Sequence, residues 1–251
     1  MRSFFRKLLG SSKAAEALMA NLADLKADMH SHILPGLDDG AETLEKSLGL
    51  VEKMVGLGYQ KLIMTPHIMG DFYKNTPEGI REKLELLQKA VQEKGWQIQL
   101  DFAAEYYLDE WFIRKLENNE KLLTFGDNYL LFETSYINEP SFLKDAVFQI
   151  QSAGYKPVLA HPERYTYLYG KFSDLEKLRE AGVLLQLNLN SLGGYYSEGA
   201  KRVAEKLVDG KLVDFAGTDV HSQKHLQFLQ KAVASKHFGK LMALPLRNSQ
   251  L

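Results

Sequence analysis

Lys26-Ala27-Asp28-Met29-His30-Ser31-His32-Ile33-Leu34-Pro35-Gly36-Leu37-Asp38-Asp39-Gly40 decides how the rest of the chain is read. A short run, Lys26–Met29, delivers two histidines spaced i, i+2. Side chains alternate with period two along a strand, so both imidazoles leave on one side. The same event recurs down the chain. Lys61-Leu62-Ile63-Met64 ends in Thr65-Pro66-His67, Trp96–Phe102 in Ala103-Ala104-Glu105, and Tyr129–Phe132 in Glu133. Pro157–Ala160 runs into His161-Pro162-Glu163-Arg164, and Val213–Ala216 into Gly217-Thr218-Asp219-Val220-His221. Val183–Leu189 leads to Asn190-Ser191. Of these seven strand-to-loop junctions six carry a candidate ligand, and five of the chain's seven histidines are used this way.

Between the strands the spacing predicts helices. Glu42–Leu57 has Leu44, Leu48, Val51 and Val55 on one face. Thr76-Pro77 gives an N-cap and a first-turn proline to a helix carrying Ile80, Leu84, Leu87 and Val91 and stopping at Gly95. Further helices are expected over Asp109–Leu116, Ser141–Ala153, Asp174–Ala181, Ser197–Val208 and Lys224–Ser235. Parallel strands joined by right-handed helical crossovers point all their C-terminal ends one way. The expected fold is therefore α/β, a seven-stranded (β/α)7 TIM-like barrel with a metal site at the C-terminal face of its strands.

A chain of 251 residues suits one such domain, residues 26–251, behind an N-terminal extension, residues 1–25. In the extension Arg2, Arg6, Lys7 and Lys13 alternate with Phe4, Phe5, Leu8 and Leu9, a pattern for a membrane surface, a partner or the barrel bottom. Composition is globular, with 45% hydrophobic and 25% charged residues. The net charge of −1 draws in no nucleic acid. No run approaches the ~20 apolar residues needed for a membrane span, and no secretory signal opens the chain, so a cytoplasmic location is expected. Cysteine is absent, which removes disulfides, thiolate ligands and a cysteine nucleophile together.

His30, His32, His67, His161, His221, Glu105, Glu133 and Asp219 form a nitrogen-and-oxygen ligand supply suited to manganese, iron or zinc. It exceeds the three or four protein ligands one zinc normally takes, so two or three divalent ions are expected. Glu105 and Glu133 can bridge ions, and left unpaired beside apolar strands they would be costly. Leu37-Asp38-Asp39-Gly40 also reads as a turn before the next helix, with one of the two aspartates as an alternative cap for it. Tyr106, Tyr107, Tyr136, Tyr165, Tyr167, Tyr195 and Tyr196 follow several strands, as an aromatic rim or as barrel packing.

The motif His30-Ser31-His32-Ile33-Leu34-Pro35-Gly36-Leu37-Asp38-Asp39-Gly40, with Thr65-Pro66-His67, Ala104-Glu105, Phe132-Glu133, His161-Pro162-Glu163-Arg164 and Gly217-Thr218-Asp219-Val220-His221, resembles the polymerase and histidinol phosphatase (PHP) superfamily. Within it the chain is similar to bacterial metal-dependent protein-tyrosine phosphatases of capsule and exopolysaccharide systems, the CpsB type, over roughly residues 26–240. The resemblance implies the PHP fold, a distorted seven-stranded (β/α)7 TIM-like barrel, and manganese as the preferred ion. It implies His30, His32, Asp39, His67, Glu105, Glu133, His161, Asp219 and His221 as metal ligands, and Arg164 as the phosphate-binding arginine. The implied partner is a phosphotyrosyl protein, a membrane-associated bacterial tyrosine kinase of polysaccharide export. Two departures stand out. The motif here follows an extension, and where those phosphatases carry an arginine-bearing segment after the last histidine, this chain has Lys224 and His225.

The reaction expected is in-line attack on phosphorus by a metal-activated hydroxide, with phosphate oxygens held by the ions and Arg164. His221 or Asp39, or a water they hold, supplies the leaving phenolate with a proton. Two other functions fit the same residues. One is a small phosphomonoesterase such as a histidinol-phosphate phosphatase, or a nucleic-acid phosphoesterase; the other is a non-catalytic metal-binding module.

Overall fold

The computed structural model describes residues 22–251. The basic and apolar pattern of the N-terminal extension lies outside the described residues. Leu22 and Leu25 are already buried in the core, so packing begins before Lys26.

The fold is α/β with parallel strands. The strands are β1 (Ala27–Asp28), β2 (Lys61–Met64), β3 (His67–Ile68), β4 (Gln99–Phe102), β5 (Glu105–Tyr107), β6 (Tyr129–Glu133), β7 (Lys156–Ala160), β8 (Leu184–Asn188) and β9 (Phe215–Gly217). Helices alternate with them: α1 (Leu44–Gly56), α2 (Pro77–Glu93), α3 (Glu110–Glu117), α4 (Leu143–Ser152), α5 (Phe172–Glu180), α6 (Leu189–Leu192), α7 (Glu198–Asp209), α8 (Gln223–Val233) and α9 (Lys236–Met242). Thr76 caps α2 by accepting from Gly79 N at 3.1 Å, and Pro77 follows it as expected. Asp109 and Ser197 cap α3 and α7 in the same way. α2 buries Ile80, Leu84, Leu87 and Val91, the face its periodicity marks. The sequence reading misses α6 and α9, because four and seven residues are too few to show a helical period, and α9 holds Gly239.

One sheet has the order β1-β2-β4 and the other β3-β5-β6-β7-β8-β9, with every pair parallel. The nine strands of the described residues exceed the seven expected. Two expected strands are each broken in two, one at Thr65-Pro66 and the other at Ala103-Ala104. Pro66 has no N–H to give to the ladder, so regular pairing lapses at that level. Backbone bonds from Ala103 N to Met64 O (2.8 Å) and Glu105 N to Pro66 O (3.1 Å) still carry the chain across the break.

The edges of the two sheets approach each other. Ser31 forms an isolated parallel bridge with Val220. Asp219 N donates to His30 O at 2.8 Å and His32 N to Val220 O at 2.9 Å. At the other end Asn248 spans the same gap, Nδ2 donating to Ala27 O (3.0 Å) and Ala216 O (2.7 Å) while Oδ1 accepts from Ala216 N (2.9 Å). Met29, Ile63, Ala103, Leu131, Val158, Ala160 and Phe215 form an inner cluster, separate from the larger core between strands and helices. No helix of the described residues is long and apolar enough to cross a membrane.

Candidate metal centre

Strand ends, with the loop before α1 for Asp39, bring all nine expected ligands together. Ligand atoms fall into four overlapping groups: His32, Asp39, His67 and His221; His30, His161 and Asp219; His30, His32 and Glu105; and His67, Glu105 and Glu133. Glu105 sits at the centre. Its Oε2 lies 3.1 Å from His67 Nδ1, 3.2 Å from His30 Nε2 and 3.3 Å from His32 Nε2, and its Oε1 lies 3.0 Å from His161 Nε2. Asp219 Oδ1 is 3.4 Å from each of His30 Nε2, His32 Nε2 and His221 Nδ1. Asp39 is the outer member, its side chain 56% exposed, with Oδ1 3.4 Å from His221 Nε2 and 3.5 Å from His67 Nε2.

Three imidazoles are oriented from behind. His30 Nδ1 donates to Gln186 Oε1 (3.0 Å), His32 Nδ1 to Asp38 Oδ2 (2.7 Å) and His221 Nδ1 to the Asp219 carbonyl (3.0 Å). Because each partner is an oxygen that only accepts, Nδ1 carries the proton and Nε2 faces the cluster. Two glycines make room for this. A Cβ on Gly40 would lie 2.0 Å from His32 O, and one on Gly217 would lie 2.9 Å from His30 Cβ.

The backbone is also forced at two of the candidate ligands. His161 (φ 32°) and Asp219 (φ 49°) are left-handed, a conformation that costs a non-glycine residue about 1 kcal/mol or more.

The donor set fits divalent cations. His30 and His32 bring Nε2 atoms to 3.2 Å of one another, and Glu105 Oε2 and His67 Nδ1 are buried without a hydrogen-bond partner. Such convergent orphaned groups are costly unless a cation lies among them. Burial opposes the charge of Glu105 and Asp219, but neighbouring imidazoles, His30 foremost, hold both well below the usual carboxylate range. Burial and then the Glu105 charge push Glu133 the other way. Burial, reinforced by Arg164, pulls His161 down to about 4, so its ring is neutral near pH 7.

Asp38 and Asp39 do not divide as expected. Neither caps α1; Thr43 does, accepting from Lys46 N at 3.3 Å. Asp38 instead accepts from His32 Nδ1, His67 N (3.1 Å) and Gly40 N (3.0 Å); burial opposes its charge, but the His32 imidazole foremost holds its carboxyl well below the usual range. All three partners are donors, so Asp38→Asn turns an amide N–H against at least one of them. Metal affinity is expected to fall about 10- to 100-fold, measured by chelator competition; unchanged affinity would refute an orienting role for Asp38.

Gln186 and Asn188 are residues the sequence reading passes over. Gln186 Oε1 also accepts from His161 N (3.1 Å), and Asn188 Nδ2 donates to Asp219 Oδ2 (2.9 Å). Their signal is two fully buried amides in the otherwise apolar β8. Arg164 follows His161 on a 3-10 turn, Pro162–Arg164, and its Nη1 donates to Asp219 Oδ2 at 2.7 Å. Tyr106 and Tyr165 are packing residues, fully buried, with hydroxyls bonded to Leu123 N and the Ala160 carbonyl. Tyr136 and Tyr196 lie at the cluster. His225 Nδ1 accepts from His221 N at 3.0 Å, and Lys224 Nζ lies 5.7 Å from the Tyr195 ring centre.

Parallel strands that deliver this ligand set to one end of an α/β fold define a class, proteins with a candidate polynuclear metal centre. The family model described as capsular polysaccharide synthesis, CpsB/CapC, matches residues 26–242, and the chain belongs to that family. It is 31% identical over 215 residues to the tyrosine-protein phosphatase YwqE of Bacillus subtilis (strain 168), covering 84% of this chain and 85% of the relative. A crystal structure from the pair YwqE of Bacillus subtilis and CpsB of Streptococcus pneumoniae, described as unique metal-dependent tyrosine phosphatases, matches with a TM-score of 0.73 at 30% identity. It covers 88% of this chain and 94% of that one. The histidinol phosphate phosphatase of Lactococcus lactis shares the fold, with a TM-score of 0.55 at 16% identity over 88% of this chain and 94% of its own.

Proposed function

We propose that this chain is a metal-dependent protein-tyrosine phosphatase acting on a membrane-associated bacterial tyrosine kinase of capsule or exopolysaccharide synthesis. The observation that carries the reading is the convergence of nine nitrogen and oxygen ligands beside Arg164 in a chain without cysteine. The names of its relatives support phosphotyrosine as the substrate. The protein acts in the cytoplasm as a single domain, residues 26–251 together with the buried Leu22 and Leu25. The Ser31–Val220 bridge and the inner cluster support reading the two sheets as one distorted seven-stranded barrel, with each broken strand counted once.

The nine clustered residues would hold two or three divalent ions, manganese first. Bound ions supply Lewis-acid charge to the phosphoryl oxygens and lower the pKa of nearby water. The chain's own groups do the rest. Arg164 offers a planar pair of N–H groups to the phosphate. Asp38, Gln186 and the Asp219 carbonyl keep His32, His30 and His221 in one tautomer. Asp39 and His221, at the outer side of the cluster, would hold the water whose proton the leaving phenolate takes up.

Parallel assays test the substrate. A phosphotyrosyl peptide is expected to be turned over with kcat/KM at least about tenfold above histidinol phosphate, a margin of ~1.4 kcal/mol, and single-stranded DNA not at all. Histidinol phosphate as the best substrate would move the assignment to a small phosphomonoesterase. No turnover of any of the three with added Mn²⁺ would leave a metal-binding module.

A further inference from the structure

Arg164 lies over two aromatic rings. Its guanidinium carbon lies 4.1 Å from the centre of the Tyr196 ring and 4.7 Å from that of Tyr136. The two rings come from different loops, one after β6 and one after α6. Nη1 donates to Asp219 Oδ2, and among the described residues no other acceptor engages the guanidinium, although the side chain is only 18% exposed. The rings are tied in turn. Tyr136 OH donates to Glu133 Oε2 at 3.2 Å, and the Tyr136 carbonyl accepts from Thr166 N (2.7 Å) and Oγ1 (2.9 Å). Tyr196 OH accepts from Asn188 Nδ2 at 2.7 Å and lies 3.4 Å from Asp219 Oδ2.

A cation over an aromatic face is attracted by the ring quadrupole, and the attraction grows as water is excluded. A guanidinium lying over aromatic rings keeps its in-plane edge for hydrogen bonding. The rings fix the plane, and Asp219 fixes rotation within it. The entropy of ordering a long arginine side chain is thereby lost before substrate arrives rather than on binding.

We propose that Tyr136 and Tyr196 are positioning residues for the phosphorylated substrate, clamping Arg164 so that its remaining N–H groups meet the phosphoryl oxygens already aligned. This rests on the reading of Arg164 as the phosphate-binding arginine. The clamp has added weight in this chain. Among the described residues no other arginine or lysine pairs with a candidate ligand, and Lys224 and His225 are engaged with Tyr195 and His221.

The full chain loaded with Mn²⁺ provides the test, with inorganic phosphate affinity read by calorimetry, KM and kcat on a phosphotyrosyl peptide, and metal content on the same samples. Replacing both rings, Tyr136→Leu with Tyr196→Leu, is expected to weaken phosphate binding and raise KM about tenfold at unchanged metal content. Each single leucine variant is expected to give about threefold, which keeps the test open if the pair folds poorly. The phenylalanine pair keeps both faces and removes both hydroxyls, so it is expected to restore phosphate affinity to within about twofold of the parent. In an Arg164→Met background the leucine pair should add nothing. Equal losses in the leucine and phenylalanine pairs, or a leucine effect that persists without Arg164, would overturn the clamp. If Arg164→Met itself leaves phosphate affinity unmoved, the phosphate-binding role of Arg164 fails first, and the clamp with it.

Discussion

Glu105→Gln is expected to remove at least one ion per chain and to cut kcat/KM on a phosphotyrosyl peptide about a thousandfold or more, a loss of about 4 kcal/mol. Among the described residues no other side chain meets so many candidate ligands: its two oxygens lie within 3.3 Å of nitrogen atoms from His30, His32, His67 and His161. It belongs to two of the four ligand groups, so it is placed to bridge neighbouring ions. Glutamine has the same shape and leaves no cavity, and the fold should survive. One anionic oxygen is replaced by an amide N–H pair, however, which ligates poorly and sets donors against buried cations. Metal analysis and circular dichroism on the same sample separate the two effects. A folded variant that keeps its full metal content and turns over within about tenfold (~1.4 kcal/mol) of the parent would sink the central role of Glu105.

Exhaustive chelation is expected to lower turnover about a hundredfold or more, and re-addition of Mn²⁺ to restore it. Stability should move with activity, because an ion that binds only the folded state stabilises it by RT ln(1 + [L]/Kd). At a free ion concentration a thousand times Kd that is about 4 kcal/mol, on the order of a 10 °C change in unfolding midpoint for a chain of this size. The sign follows from the site. Removing the ions leaves His30 and His32 with Nε2 atoms 3.2 Å apart and Glu105 Oε2 buried without a donor. Full turnover in protein shown by metal analysis to be ion-free would end the metal-dependent reading. Comparing restoration by Mn²⁺, Fe²⁺ and Zn²⁺ identifies the ion.

Much of the architecture is legible in the sequence because its signals are local. β2 and β6 fall where their apolar runs predict, Thr76-Pro77 opens α2, and six strand ends carry the polar residues that the fold gathers. An i, i+2 histidine pair or a proline after a capping threonine acts through bonds only a few residues long, so the pattern is complete in the stretch itself. Pro66 is an instructive exception: it is visible in the sequence, but the lapse in pairing that it produces involves partner strands as well.

What the tertiary structure decides is which polar groups serve the cluster without belonging to it. Leu37-Asp38-Asp39-Gly40 reads equally as a turn or a cap, and only the fold sends Asp38 inward to His32 and His67 while Asp39 faces out. Gln186 reaches His30 across 156 positions of chain, Asn248 reaches Ala27 across 221, and Tyr136 and Tyr196 meet only at Arg164. Such contacts form when packing brings distant segments to a few ångströms and leaves a buried donor or acceptor to be satisfied. That demand is set by the three-dimensional neighbourhood, so no local pattern announces it.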